Sequence, residues 1–205
     1  MEIKNMMEIM DLSFLTRRTI EHSLHEIDRR ALNAMVLVKR HGKKLAGYGV
    51  VAQAFREQAA HLKEAASPLQ RSIAPLVRAQ MRILQHRRHA ELFCRAEQTL
   101  GAGNACPLQL GKGSLWQEII ATEEAEALNI LRALIRTVTQ LQEGILEQEY
   151  VVTIGRIEAA LSEASGAPLM RVSQEMGVAV ATVRDAIWRY RNHLEEVLHE
   201  SSIGI

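Results

Sequence analysis

Histidines paired at helical spacing are the first side chains that could do chemistry. The two pairs are His22 with His25 and His86 with His89. Residues three apart lie on one face of a helix, where two imidazoles can bind a metal ion if further ligands converge. No carboxylate or cysteine cluster joins either pair, and residues 85–89 form a basic run typical of a solvated helix face. The sequence therefore predicts no metal site and no cofactor.

Other catalytic arrangements are not found in the sequence. It contains no pattern typical of a nucleophile with its base, of a phosphate-binding loop or of a paired-carboxylate site. The two cysteines, Cys94 and Cys106, form neither a ligand set nor a disulfide framework, and they fit a reducing cytosol. We therefore expect that the protein is not an enzyme.

A basic segment late in the chain could bind DNA. Residues 169–191 are compatible with a helix-turn-helix that has Gly177 at its turn and residues 179–191 as the recognition helix. The side chains that would then face bases and phosphates are Thr182, Arg184, Arg189 and Arg191. The net charge of only +1 and the acidic pair Glu195-Glu196 argue against DNA binding. Because the spacing still fits a helix-turn-helix, a DNA-binding transcriptional regulator is kept as the alternative function.

Composition indicates that the elements positioning these residues are long helices. The chain has 205 residues, of which 47% are hydrophobic, 24% are charged and only 4% are aromatic. Residues that favour helices dominate, and only four prolines interrupt them. The first residues carry Glu2, Lys4, Glu8 and Asp11, so no signal peptide or membrane span is expected there. The sequence predicts an all-α, cytoplasmic protein.

Glycine-rich breaks divide the chain into two predicted helical hairpins. The first hairpin is expected over residues 1–100 with its turn near 42–49, and the second over 114–205 with its turn near 164–168, joined by a linker at 101–113. Pro68 and Pro75 should interrupt or kink the return leg of the first hairpin. Together the two antiparallel hairpins predict a four-helix bundle with coiled-coil packing. The predicted helices are 9–41, 50–67, 68–100, 114–163 and 169–199.

The first hairpin contains a more specific pattern across its turn. Residues 31–59 resemble the kinase-control hairpin of bacterial methyl-accepting chemotaxis receptors, at the membrane-distal end of their cytoplasmic signalling domain. The matching residues, aligned without a gap, are Ala31-Leu32-Asn33-Ala34, Arg40, Gly42, Gly47, Val50-Val51-Ala52, Arg56 and Ala59. The resemblance covers both legs and the glycines between them, whereas a generic alanine-rich hairpin would account only for the small residues and a turn glycine.

Two departures from the family pattern concern acidic residues. This chain has Leu37 and Ala54 where the family has glutamates. In the family, polar residues near this turn help receptors to assemble and to contact the histidine kinase and its coupling protein. The losses therefore make ordinary receptor-type kinase control doubtful.

A second, weaker match to the same pattern lies in the second hairpin. Glu158-Ala159-Ala160, Gly166 and Glu175 fall on family positions, so the acidic residues that the first match lacks are present here. The resemblance therefore suggests a pseudo-dimer, in which one chain supplies both hairpins of a bundle that receptors build from two chains. The alternative is a second amphipathic hairpin that matches by chance.

The leading prediction is a cytosolic, chemoreceptor-like signalling or adaptor protein that acts through helix–helix contacts. Its expected partners are chemotaxis receptors, a histidine kinase or its coupling protein, and a homo-oligomer is an open possibility. Nucleic acid is not an expected partner of this leading function. The predicted partner-binding residues are Asn33, Arg40, Gly42, Gly47, Val50, Arg56, Glu158 and Glu175.

Overall fold

Four long helices account for nearly all of the described chain. The structure, a computed structural model, describes residues 3–100, 112–162 and 166–203. Its elements are α1 (Ile3–His41), a short 3-10 turn (Gly42–Leu45), α2 (Ala46–Leu100), α3 (Lys112–Leu161) and α4 (Ala167–Ile203). Those ranges contain no β-strand. The predicted all-α class with a four-helix bundle is confirmed.

The helices pack antiparallel around one core. α1 packs against α2 and α4, and α3 packs against the same two helices. Residue numbers run in opposite directions across α3 and α4, since Arg184 pairs with Glu149 and Arg191 contacts Gln142. The larger of two clusters of buried apolar side chains draws on all four helices, so both predicted hairpins contribute to one bundle.

Apolar residues recur every three to five positions along α1, a spacing that predicts one buried face, but the face that is buried differs from this stripe in part. Ile20, Leu24 and Ile27 are buried as the periodicity predicts, but Leu15 is exposed. In this part of α1 the core contains Ser13 and Thr16, small polar residues that hydropathy patterning does not assign to a core. The helix therefore keeps its period, while the sequence pattern misplaces its inward face near the N-terminus.

Both prolines of α2 lie inside one continuous helix. The expected interruption at Pro68 is wrong, because α2 runs from Ala46 to Leu100 through Pro68 and Pro75. A proline inside a helix removes one hydrogen bond and costs about 3 kcal/mol. Leu69 and Leu76, the residues that follow the two prolines, are fully buried in the bundle. Their packing against the other helices offsets the lost hydrogen bonds.

The first turn is shorter than its glycine-rich segment suggests. The first reversal uses residues 42–45 with Gly42 at a φ of 63°, and α2 already includes Gly47 and Gly49. Of the predicted second turn, residues 164–165 lie outside the described residues, and α4 begins at Ala167. Residues 101–111 of the predicted linker also lie outside them, and α3 begins at Lys112 rather than at Ser114.

The two middle helices continue past the four-helix bundle. Among the described side chains, none is buried in residues 84–100 of α2 or in residues 112–126 of α3. We call these two segments the extension; at 1.5 Å per residue the α2 part is about 25 Å long. Within the described ranges, no helix is both long and apolar enough to cross a membrane.

Candidate protein-interaction tip

The start of α2 and the start of α4 lie at the same end of the bundle and contact each other. The Tyr48 hydroxyl, near the start of α2, donates to the carbonyl oxygen of Leu169 at 3.2 Å and lies 2.7 Å from the Ser173 hydroxyl, both on α4. Burial raises the pKa of Tyr48, and the Ser173 hydrogen bond opposes that shift. We call this end, residues 28–56, 155–162 and 166–175, the tip.

A separate apolar cluster holds the tip together. Its buried members are Ala34, Leu45, Tyr48, Ala52, Ala159 and Leu169, which come from all four helices or the turn between α1 and α2. Three of these six side chains are alanines, one each from α1, α2 and α3, which lets the helix backbones approach closely at these positions. The tip is therefore a packed structure whose surface residues have fixed positions.

Gly47 in the first hairpin lies close to Glu158 in the second. A Cβ atom at Gly47 would overlap the carboxylate of Glu158 on α3. Glycine at this position leaves room for that carboxylate beside the first turn of α2. The structure therefore brings together Gly47 and Glu158, two of the predicted partner-binding residues from different hairpins.

Ion pairs inside the chain use two further predicted residues. Arg56 on α2 donates to Asp28 on α1 at 2.9 Å, and Glu175 on α4 pairs with Arg30 on α1. Glu175 also accepts a bond from Arg171 at 3.2 Å. Arg56 and Glu175 thus link α1 to its two neighbouring helices, and sequence reasoning did not foresee these contacts.

The remaining predicted residues face solvent. Asn33, Arg40, Gly42 and Val50 are exposed, and the side chain of Val50 retains 73% of its accessible surface. In the described part of the chain, the side chains of Asn33 and Arg40 make no hydrogen bond or ion pair. These polar groups are free to bind another molecule.

An apolar contribution to this surface was missed from the sequence. Leu32 and Val36 are exposed on α1, on the same side as Asn33 and Arg40. The spacing 33, 36 and 40 is that of one helix face, so the signal was present in the sequence. We call Leu32, Asn33, Val36 and Arg40 the α1 tip face; it combines two apolar and two polar side chains.

The prediction of a helix-turn-helix in residues 169–191 is wrong. α4 is one continuous helix from Ala167 to Ile203, so Gly177 forms no turn. Two of the arginines expected to contact DNA have partners in the chain, because Arg184 pairs with Glu149 at 2.8 Å and Arg191 pairs with Glu195 at 2.7 Å. The glycine was misread as a break because packing against α3 keeps the helix intact there.

The histidine pairs do not converge with other metal ligands. His86 and His89 lie beside Trp116 in the extension, with ring centroids 5.3 Å and 5.4 Å away. His22 and His25 line a groove between α1 and α2 that also contains the carboxylates Glu21 and Asp28 and the basic residues Arg18, Arg56 and Lys63. Over the described ranges, no group of three or more histidine, cysteine, aspartate or glutamate side chains could hold a metal ion.

Comparisons of the chain with protein-family models, with curated proteins and with solved structures find no match.

Proposed function

We propose that this protein is a signalling or adaptor protein that acts by helix–helix association, using its tip to contact chemotaxis receptors, a histidine kinase or its coupling protein. The observation that supports the proposal best is the α1 tip face. Its exposed apolar groups, Leu32 and Val36, can be buried by a partner helix, while Asn33 and Arg40 offer free polar groups that select the partner.

The relative position of the two turns also supports the proposal. A pseudo-dimer requires both turns at one end, and the contact of Tyr48 with Leu169 and Ser173 agrees with that requirement. If the turns lay at opposite ends, the second hairpin could not take the place of the second chain in a receptor-type bundle. In the proposed pseudo-dimer, the first hairpin supplies Asn33 and Arg40 from α1, and the second supplies Glu158 from α3 and Glu175 from α4.

The charge distribution suggests how the protein differs from a receptor. Arg56 and Glu175 are occupied by pairs within the chain, and the family glutamates at positions 37 and 54 are absent. The tip is thus left with fewer free charges for a partner. We propose that it occupies a receptor-type binding position through apolar contact together with Asn33 and Arg40.

A binding experiment with purified components tests this function. The full chain is immobilised and offered the coupling protein, the kinase and a receptor signalling domain of the same organism, each in turn. We expect at least one to bind, and Asn33→Ala/Arg40→Ala to weaken that binding about ten-fold, which equals about 1.4 kcal/mol. Surface substitutions of this kind cost within about 0.5 kcal/mol of stability, so the variant should remain folded.

The chain offers a control pair of the same residue types. Asn129 and Arg132 are exposed on α3, far along the helix from the tip, so Asn129→Ala/Arg132→Ala should bind like wild type. Absence of binding by all three components would refute the proposal. Equal loss in both double variants would remove the α1 tip face as its basis.

A further inference from the structure

The outer side of α3 contains an apolar stripe that no helix of the bundle covers. Leu146, Tyr150 and Ile157 retain 62%, 68% and 51% of their accessible surface. Thr153 and Ala160 are also exposed and continue the stripe. Its five members, at positions 146, 150, 153, 157 and 160, are spaced by four, three, four and three residues. We call these five residues the α3 stripe; its spacing is the seam pattern of a two-helix coiled coil.

The α3 stripe lies opposite the face that α3 buries within its own chain. Leu141, Ile145, Val152 and Ala159 of the same helix are buried in the bundle. α3 is therefore apolar on two opposite faces, although a helix on the surface of a bundle needs only one. A stripe of large exposed side chains on a second face is typical of a docking surface.

The charges beside the α3 stripe identify a second copy of this chain as the partner. Glu149 and Arg156 lie on the same flank of α3, towards α4, because Glu149 pairs with Arg184 and Arg156 packs over Gly177. Within the described chain, Arg156 makes no ion pair. In an antiparallel pair, each Glu149 would lie near Arg156 of the second copy, so two opposite-charge contacts would form.

The same two-fold arrangement also matches the sizes of the apolar groups. An axis passing midway between residues 151 and 152 puts Tyr150 opposite Thr153, a large side chain against a small one. It also puts Leu146 opposite Ile157. A parallel pair would instead put Tyr150 against Tyr150, and it would place Glu149 and Arg156 opposite residues 154 and 161, where neither meets an opposite charge. The pattern is therefore self-complementary in the antiparallel direction only.

We propose that the α3 stripe forms an antiparallel dimer of this chain. The dimer buries one exposed helix face against its copy and leaves the α1 tip face of each subunit open. It does not depend on the proposed signalling function. The contact is limited to about four helical turns from each subunit, so the dimer should dissociate on dilution.

Sedimentation equilibrium on the full chain tests the dimer. We expect a concentration-dependent monomer–dimer equilibrium, and Ile157→Glu should weaken it at least about ten-fold because it puts a charge into the buried seam. Met81→Glu is the matched control, since Met81 is half exposed on α2, outside the α3 stripe. A chain that stays monomeric at every concentration, or a loss of dimer that is equal in both variants, would overturn the proposal.

Cysteine crosslinking tests the orientation. In a Cys94→Ser/Cys106→Ser background, Tyr150→Cys protein mixed with Thr153→Cys protein should form a disulfide between the two different chains. Each variant alone should form little, because residue 150 is not opposite residue 150 in the antiparallel pair. Efficient crosslinking of each variant with itself would indicate a parallel pair or another helix face, and would overturn the inference.

Discussion

α2 and α3 run through both the bundle and the extension, yet only the bundle has a core. Between Ala46 and Ile83, α2 buries a residue at nearly every turn, whereas beyond Ile83 none of its described side chains is buried. The extension is held by pairs such as Arg82 with Glu123 at its base and Arg87 with Glu124, and by aromatic contacts to Trp116. A long helix does not form a core by itself. α2 buries side chains only where other helices lie on two sides of it.

The tip, unlike the extension, has a core of its own. There the helices approach closely, Tyr48 is fully buried, and its hydroxyl is bonded across to α4. A surface supported in this way can present side chains in fixed positions to a partner. The extension has no comparable support, since its partly exposed groups make contact with one neighbouring helix.

The largest effect should come from removing a phenylalanine from the bundle core. Phe55 is fully buried, so Phe55→Ala leaves a cavity and should cost about 3–5 kcal/mol of the free energy of unfolding. Phe93→Ala removes the same ring from the extension, where it is partly exposed and stacks on Trp116, and should cost less than about 1 kcal/mol. Urea denaturation measures both. Similar losses in the two variants would abolish the distinction between bundle and extension.

Alkaline pH should destabilise the bundle through a buried tyrosine. Burial raises the pKa of Tyr190 to about 12, whereas it is about 10 in an unfolded chain. The unfolded chain therefore loses its proton first, and the free energy of unfolding falls by up to about 1.4 kcal/mol per pH unit between those values. Tyr190→Phe should remove this part of the slope in denaturation curves recorded from pH 9 to 12.

Tyr150→Phe is the control for this pH dependence, because Tyr150 is exposed. None of the three tyrosines lies in the extension, so this part of the pH response reports on the bundle alone. A slope that is unchanged by Tyr190→Phe would show that the tyrosine is solvated in the folded protein.

The smallest effect should follow removal of the extension. Deleting residues 84–126 and joining Ile83 to Ala127 by a short glycine-containing loop removes no buried described side chain. We expect the melting temperature to change by only a few degrees, since about 1 kcal/mol shifts it by about 2–4 °C in a domain of this size. Circular dichroism on heating measures this change. Loss of cooperative melting would mean that the extension is part of the folding unit.

Much of the fold could be predicted from local sequence signals. Helical composition, the glycines after His41 and the periodic leucines of α3 correctly indicated four helices in antiparallel order. The errors arose where packing overrides local preference. Pro68 lies inside α2 because Leu69 is held in the core, and Gly177 lies inside α4 because that helix packs along α3.

The candidate site was less predictable, since surface residues are defined by what lies beside them. A sequence pattern selected Asn33, Arg56 and Glu175 alike, although only Asn33 is free of a partner within the described chain. Val36 shares the helix face of Asn33, as the spacing of three shows, but it does not match the receptor pattern, and only the structure shows that this face is exposed.

By itself, then, the sequence determined that the chain forms long helices and reverses near Gly42, because helix propensity and glycine conformation act locally. Only the tertiary structure decided that both turns meet at one end, that Gly47 faces Glu158, and that Arg56 and Glu175 are bound within the chain. Those facts depend on which helix lies beside which, and two of the contacts, Gly47 with Glu158 and Arg30 with Glu175, join residues more than a hundred positions apart. The tertiary structure also leaves the α3 stripe exposed on the outside of the bundle, where a second copy of the chain can cover it.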